Sequence, residues 1–535
     1  IKATNGDKIV FSLIGMKEIS TVVENSRIVD MIMQNDTIAL EEAVVTGYQT
    51  ISKERATGSF SVLSSTALTE NLQPNIIDSI EGKVAGLNII TNGSSKTIQI
   101  RGVSTINGNR NPLFVVDGVP FEGEPGDGGD NTTPLDLISP ADIVNITVLK
   151  DATAASIYGA RSANGVIVIT TRNGQQGKTR VNYSGTVSFQ GLPDREYSHL
   201  MSSSELVDYQ LMVQATSNKL TRKAANSFQN PVQTLMLDLK EGKISQTQFE
   251  AGLQPYRNQD RYDQVVDEFL RKQKVQHQHN LSFNGGSDIY KYNVSFNYTG
   301  DAPYEKAQYI NRLGFNIKNT FDFFKWLSVD AGIMGSQKTA DYDCGTLGMS
   351  LLDAGGASYY MLRDENGDPC TFYDTKSQKE LDRLTSLGLN DEARKPVEQL
   401  NRRHYSRKRN YLNLNFAARF KIIEGLNASL RYQRETTTGY NKDYSSKDYY
   451  TVAQMVNDAT VLKADGTVTH YVPAGGQVVQ NNIDNWSSTA RAQIDFDRNI
   501  SKNSNLMVIA GGEIRKVVTT SNGFYFLGYD DETLA

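Results

Sequence analysis

From about residue 178 onward the chain alternates apolar and polar residues with a period of two. Val181, Tyr183, Val187 and Phe189 fall on one side, and Asn182, Ser184, Thr186, Ser188 and Gln190 on the other. The pattern returns at Leu281 and Phe283, at Tyr290, Tyr292, Val294, Phe296 and Tyr298, and at Leu313, Phe315, Ile317 and Phe321. It continues at Leu327, Val329, Ala331 and Ile333, across 412–422, at Leu430 and Tyr432, and at Ala490, Ala492, Ile494 and Phe496, ending in a less regular run over 506–510. This predicts about nine strands. Their connections fall into two sets. Those at 285–288, 322–325, Glu424-Gly425 and 498–503 are short. Those at 191–275, 338–405 and 436–482 are long, with one short member near 300–309. A transmembrane barrel alternates tight turns with long loops in this way, and a soluble sandwich has no reason to. Periodicity alone fits either. Aromatic residues near strand ends (Tyr290, Tyr298, Phe321, Phe323 and Trp326) favour the barrel, where they would form an interfacial girdle.

The first part of the chain has a different texture. Residues 1–40 read as short strands around 8–13 and 19–23, the remnant of a small β-sandwich too short to bury a core alone. Residues 41–60 form a connector in which Glu41-Glu42-Ala43-Val44-Val45-Thr46-Gly47-Tyr48 runs from acidic to β-branched to glycine-broken. Such a segment suits either an ordinary edge strand or a strand added to a partner's sheet. Residues 61–175 are mixed α/β. Ile76, Ile77, Ile80, Val84 and Leu87 keep helical spacing after Pro74, and 97–102 alternates as a strand. The run 113–116 is a buried-type strand ended by the turn signal Asp117-Gly118. Asp151 is placed to cap a short helix over 152–158 stopped by Gly159, and 165–171 is a second β-branched run.

Composition narrows the class. The 535 residues are 39% hydrophobic, with a mean hydropathy of -0.44. Aliphatic runs reach only Val166-Ile167-Val168-Ile169, far short of the roughly 20 residues of a membrane helix. This excludes helical membrane proteins and leaves barrels open, because barrel strands average out as hydrophilic. A net charge of -5 provides no footprint for nucleic acid. Two cysteines exclude a disulfide framework and a Cys-rich metal fold; Cys344 and Cys370 share one predicted loop, where a pairing would be local. Ile1 opens inside strand-like sequence and the last residues add no closing element, so the chain reads as a fragment of a longer protein.

Little in the chain reads as catalytic. Gly174-Gln175-Gln176-Gly177-Lys178-Thr179 ends like a phosphate loop, but Arg172 stands where the first glycine belongs and a strand follows instead of a helix. His277 and His279 share a strand face without a third ligand nearby. Asp364-Glu365-Asn366-Gly367-Asp368 begins like a calcium loop, yet Pro369 and Thr375 break the pattern, leaving an Asn-Gly hairpin turn. The acidic loop 126–130 is a candidate calcium loop; otherwise no cofactor or metal is expected. Nothing makes a positive case for an enzyme.

The plug-like block carries the recognisable residues. The stretch from Leu149-Lys150-Asp151 through Ile157-Tyr158-Gly159-Ala160-Arg161-Ser162-Ala163-Asn164-Gly165 to Thr171 closely resembles the plug signature of TonB-dependent outer-membrane transporters of the SusC/RagA type. Val116-Asp117-Gly118-Val119-Pro120, Ile100-Arg101-Gly102 and Ile80-Glu81-Gly82-Lys83-Val84-Ala85-Gly86 match the same pattern. Glu42, Ala43, Val44, Val45, Thr46, Gly47 and Tyr48 resemble the family's TonB box, departing at Ala43 where a bulkier β-branched residue is usual. His279-Asn280-Leu281-Ser282-Phe283-Asn284-Gly285-Gly286 resembles its second barrel strand and turn.

The resemblance implies an α/β plug inside a transmembrane antiparallel β-barrel with about 9 of an expected 22 strands. It implies a carboxypeptidase-regulatory-like remnant at 1–40, box and connector at 41–60, plug at 61–175 and barrel at 176–535. It implies an integral protein of a Gram-negative outer membrane that imports oligosaccharide or peptide, driven by TonB with ExbB/ExbD under a SusD-like lipoprotein. It marks Arg101, Gly102, Asp117, Gly118, Asp151, Tyr158, Gly159, Arg161, Asn164 and Gly165 as gating candidates, with Arg101, Asp117, Asp151 and Arg161 as candidate ion-pairing groups. Tyr-rich stretches at 358–360 and 447–450 would pack against the lipoprotein lid or stack on sugar rings. The alternatives are a siderophore or cobalamin receptor, which the N-terminal remnant argues against, and a surface β-rich adhesin, which leaves the plug motif unexplained.

Overall fold

Apolar runs at 113–116, 143–149 and 166–171 are too continuous to leave one face in water, and they pair into a sheet buried on both sides. In the computed structural model the described residues are 8–11, 19–22, 43–45, 47–48, 50–52, 58–69, 76–92, 95–102, 110–121, 138–151, 156–192, 194, 196, 200–217, 220–343, 357–501 and 504–530. They divide into two compact units, Ile1–Arg172 and Asn173–Ala535.

In the first unit, β1 (Lys8–Phe11) pairs antiparallel with β2 (Ile19–Val22), and β3 (Ala43–Val45) with β4 (Thr50–Ser52). A five-stranded sheet takes the order β5 (Phe60–Ser64), β10 (Ile143–Leu149), β11 (Val166–Thr171), β8 (Leu113–Val116), β9 (Val119–Pro120). Only the β11–β8 pair is parallel, with Val166 opposite Leu113 and Ile169 opposite Val116. Ile143, Ile146, Val148, Leu149, Val166 and Ile167 are fully buried. A separate hairpin, β6 (Leu87–Asn92) with β7 (Ser95–Ile100), completes the unit. The helical spacing after Pro74 yields only Ile76–Ile80. Gly82 and Gly86 take φ of +72° and +80°, breaking the helix, so Val84 is buried in the turn and Leu87 opens β6. Of the helix expected over 152–158, only 156–158 are described. Ser156–Ser162 forms two 3-10 turns broken at Gly159, whose ψ of -147° lies outside any helix, and residues 152–155 lie outside the described residues.

In the second unit, β12 (Gly177–Gly191), β13 (Gln273–Gly286), β14 (Tyr290–Ala302), β15 (Gln308–Phe324), β16 (Leu327–Asp343), β17 (Arg403–Ile423), β18 (Leu426–Ser445), β21 (Gly476–Ser501) and β22 (Ser504–Tyr529) form one antiparallel sheet, each strand beside the next. The remaining pair, β19 (Thr460–Leu462) and β20 (Val468–His470), is a small hairpin within the third long connection. The nine expected strands are present, and turn length alternates as expected.

The two faces settle what periodicity left open. The polar row is the buried one: Asn280, Asn293, Ser295, Asn297, Asn413, Ser487 and Thr489 are all buried. The apolar row is exposed, as at Val181, Phe189, Phe296, Leu313, Leu414, Leu430 and Ile494. A sandwich would invert this; a barrel wall with lipid outside requires it. Beside the tight turns the rings of Tyr290, Phe321 and Phe323 stack in series at 5.0 and 5.8 Å. Phe324, Trp326 and Phe420 do likewise at 5.4 and 6.3 Å, so the expected girdle exists on that side. No described helix is long and apolar enough to cross a membrane.

Several strands outrun the alternation that announced them. β18 continues to Ser445 and β22 to Tyr529. There the outward face meets water, so alternation no longer marks the strand. The long connections are not bare loops. The first holds helices Ser203–Ser217, Pro231–Lys240, Gln246–Asn258 and Tyr262–Phe269, the second Gln378–Ser386, and the third Tyr450–Asp458. Val207, Val232, Phe249 and Leu253 bury against Tyr359, and Val265 and Phe269 against Leu362 and Phe372, joining the first two connections in one packed layer.

Candidate functional site

Gly47 and Tyr48 tie the connector to the five-stranded sheet. Glu42 and Thr46 lie outside the described residues, while Ala43, Val44 and Val45 form β3, with Ala43 opposite Ser52, Val44 opposite Ile51 and Val45 opposite Thr50. Among the described residues β4 is the only neighbour of β3, and its other edge has no partner strand among them. Gly47 then adopts φ +87°. A Cβ there would stand 2.0 Å from Tyr158 Oη and 3.1 Å from Val115 Cγ1, so no side chain fits. The turn places the Tyr48 ring 5.2 Å from that of Tyr158, at 58°. Tyr158 is buried in a cluster with Val115, Leu149, Val166 and Val168, and Tyr48, Phe60 and Leu113 pack onto it. The connector thus ends inside the core of the first unit.

The other plug-motif residues hold that core's turns. Asp117 and Gly118 have φ of +49° and +85° and join β8 to β9 as a two-residue turn between Val116 and Val119. Positive φ at both central residues is the mark of a type I′ hairpin. Asp117 then accepts from the Thr171 N–H at 2.9 Å on Oδ1 and from the Thr171 hydroxyl at 2.8 Å on Oδ2, locking the end of β11. Asp151 Oδ2 accepts from the Ser59 N–H at 2.5 Å, beside the Lys150 N–H to Ser59 O bond of 2.9 Å; the helix start it is expected to cap lies outside the described residues. Asn164 Nδ2 donates to Asn111 O at 3.2 Å. Gly165 has φ +86°, and a Cβ would press to 2.8 Å from Ile100 Cδ1 and 3.0 Å from Leu149 O. Arg101 and Gly102 form an exposed left-handed turn, with the Arg101 N–H on Gly86 O at 2.7 Å. Arg161 is exposed on the turn after Gly159. Asp117 and Asp151 are thus each bound to a partner from another strand or its approach. Ser59 is a partner that motif reading missed, and Thr171, the last residue of the quoted signature, gave no sign of its bond to Asp117; each is identified only by the carboxylate it meets.

In the second unit, His279 Nδ1 is 2.8 Å from the Tyr183 hydroxyl, and the His277 ring lies 5.5 Å from that of Tyr298. The 364–368 segment is the expected tight turn: Asp364 Oδ1 accepts from the Asn366 and Asp368 N–H groups, both at 2.9 Å. Cys370 is a free thiol, and Cys344 and the acidic loop 126–130 lie outside the described residues. Tyr359 is buried in the helical layer, and both it and the less buried Tyr360 line a cavity there.

Comparison with known proteins agrees with this architecture. The model of the TonB-dependent receptor plug domain matches residues 52–166. The TonB-dependent receptor SusC of Bacteroides thetaiotaomicron is 31% identical over 381 residues, covering 70% of this chain and 33% of that protein. The TonB-dependent receptor P3 of Formosa agariphila is 27% identical over 424 residues, covering 78% of this chain and 35% of that protein. The chain therefore spans about a third of the length of these relatives. A structure of the RagAB peptide transporter shares the fold, with a TM-score of 0.62 at 21% identity over 89% of this chain and 50% of that one. Plug turns, an inside-out nine-stranded sheet and these relatives agree: the chain carries a TonB-dependent receptor plug domain and is similar to the SusC-type TonB-dependent receptors.

Proposed function

We propose that the protein imports nutrients too large for porins, oligosaccharide or peptide, across the outer membrane, with TonB and ExbB/ExbD supplying the work and a SusD-like lipoprotein seated over the helical layer. The observation that carries this reading is the connector. Among the described residues β3 is paired on one side only, and an unpaired strand edge is the surface a partner uses to add a strand. Three residues past the end of β3, Tyr48 packs against the plug core beside Tyr158. A pull applied at β3 therefore reaches a buried aromatic contact of the sheet and is not lost in a slack tether. The similarity to SusC, and the fold shared with the RagAB peptide transporter, support import of a polymer-derived nutrient.

Successive residues of a strand direct their N–H groups to opposite edges. Of Val44 and Val45, one faces β4 and the other the open edge. Proline at the open-edge position removes the donor that an added strand would use. One of the pair Val44→Pro and Val45→Pro is expected to weaken binding to the purified periplasmic domain of TonB by about tenfold, and to abolish energised uptake. Calorimetry with both variants checks this. Unchanged affinity and uptake in both would remove the connector from the mechanism.

A further inference from the structure

The helical layer encloses a cavity of about 890 Å³, within the roughly 300–1,000 Å³ typical of small-molecule sites. Its walls come from two long connections. Helix Pro231–Lys240 begins under it, capped by Asn230, whose Oδ1 accepts from the Val232 N–H at 2.9 Å. The Asn230 Nδ2 donates outward to the hydroxyls of Tyr359 at 2.9 Å and Tyr360 at 3.2 Å. One amide thus fixes both the helix start and the aromatic wall. Phe228 and Tyr373 stack at 5.2 Å and 17°, and Tyr360 meets Phe228 edge-on at 6.3 Å.

The polar groups of the lining divide into spent and free. Gln264 is spent: its Oε1 accepts from the N–H groups of Leu362 and Arg363, and its Nε2 donates to Arg363 O. Gln229 is spent on Lys223 and Thr221. Arg363, the one cation of the lining, is held by Glu268 Oε1 at 2.5 Å and Gly367 O at 2.9 Å. Among the described residues the Gln259 amide, the Tyr256 hydroxyl and the Glu365 carboxylate make no hydrogen bond to another side chain or backbone group. An amide and a carboxylate each present two adjacent hydrogen-bonding atoms, which match neighbouring hydroxyls. Aromatic faces carry negative charge density and attract the weakly positive C–H face of a saturated ring. With Arg363 committed and Asp364 and Glu365 beside it, the lining offers no cation for a carboxylate terminus.

We propose that this cavity is a binding site for a neutral saccharide, one or a few pyranose rings of an oligosaccharide, held on the aromatic wall by Tyr360 and Tyr373 and by Gln259, Tyr256 and Glu365. The inference rests on the import reading and names the nutrient class for it. The site carries its own reporter, since Cys370 lines the same cavity.

The test uses the detergent-solubilised protein with Cys344→Ser, screened against an array of neutral plant, fungal and mucosal oligosaccharides. Each saccharide that binds is then used to protect Cys370 from a maleimide. The expected result is at least one saccharide class that slows labelling severalfold. Gln259→Ala and Tyr256→Phe should each weaken binding by about three- to tenfold. Tyr256→Phe removes only an unpaired hydroxyl and Gln259→Ala an unpaired amide, so both variants keep the fold. Three outcomes overturn the proposal: no saccharide binds, protection is unchanged in both variants, or only peptides protect. If the saccharide fails while TonB binding still depends on Val44 or Val45, this site falls and import stands. If the saccharide binds and neither proline variant matters, import falls and the site stands.

Discussion

Gly47 packs a backbone against a phenol. With φ +87° and a would-be Cβ 2.0 Å from Tyr158 Oη, alanine there meets both a left-handed backbone and a clash. Left-handed backbone costs an L-residue about 1–2 kcal/mol and overpacking about 1–3 kcal/mol more. Gly47→Ala should therefore release the connector, seen as lost amide protection at 43–52 with β11 unchanged in hydrogen exchange. Tyr158→Phe in the same chain removes the clashing oxygen and should restore part of that protection; the same loss in single and double variants would mean the contact is not what holds the segment. Asp117 shows a different economy. Its backbone makes the turn, and its carboxylate holds Thr171, 54 residues away, so one residue closes two elements. Of these details only the Asp117-Gly118 turn was legible in the sequence, because turn chemistry is local. Asp151 also accepts from Ser59, 92 residues earlier, a contact beyond any periodicity.

At the scale of elements, the strands were visible and the loop helices were not. Alternation exposes a strand only where its two faces meet different media. It therefore found the lipid-facing stretch of β17 and β18 and lost their water-facing ends. β10 escaped for the opposite reason, because both its faces are buried and it does not alternate. The helices carried signals that went unused: Asn230 before Pro231, and Ser245 with Gln248 in a reciprocal capping box. The Asn230 cap predicts its own test. Asn230→Ala removes the acceptor for the Val232 N–H, costing about 1–2 kcal/mol, and frees the hydroxyls of Tyr359 and Tyr360. Helix Pro231–Lys240 and the 359–360 strip should lose hydrogen-exchange protection together, while β13 keeps its own. Loss confined to the helix would show that the aromatic wall is held by packing alone.

For the whole molecule, the inverted sheet says which surface belongs to lipid. Trp326 stands exposed among Phe324 and Phe420 at the tight-turn side, while Trp486 lies between Arg434 and Lys516. With Trp486→Phe, the remaining tryptophan fluorescence in reconstituted vesicles should be quenched more by lipids brominated near the head group than near the chain end. Equal quenching at both depths, or none, would contradict an interfacial girdle there. Strand length has one more consequence. β21 and β22 each run 26 residues, which at roughly 3.3 Å per residue and about 40° tilt rises some ~65 Å along the membrane normal. The apolar band accounts for only about 25 Å of that. The strands that carry the first long connection are much shorter, 15 residues in β12 and 14 in β13, so the wall is uneven in height: low where the helical layer joins it and tall at β21 and β22.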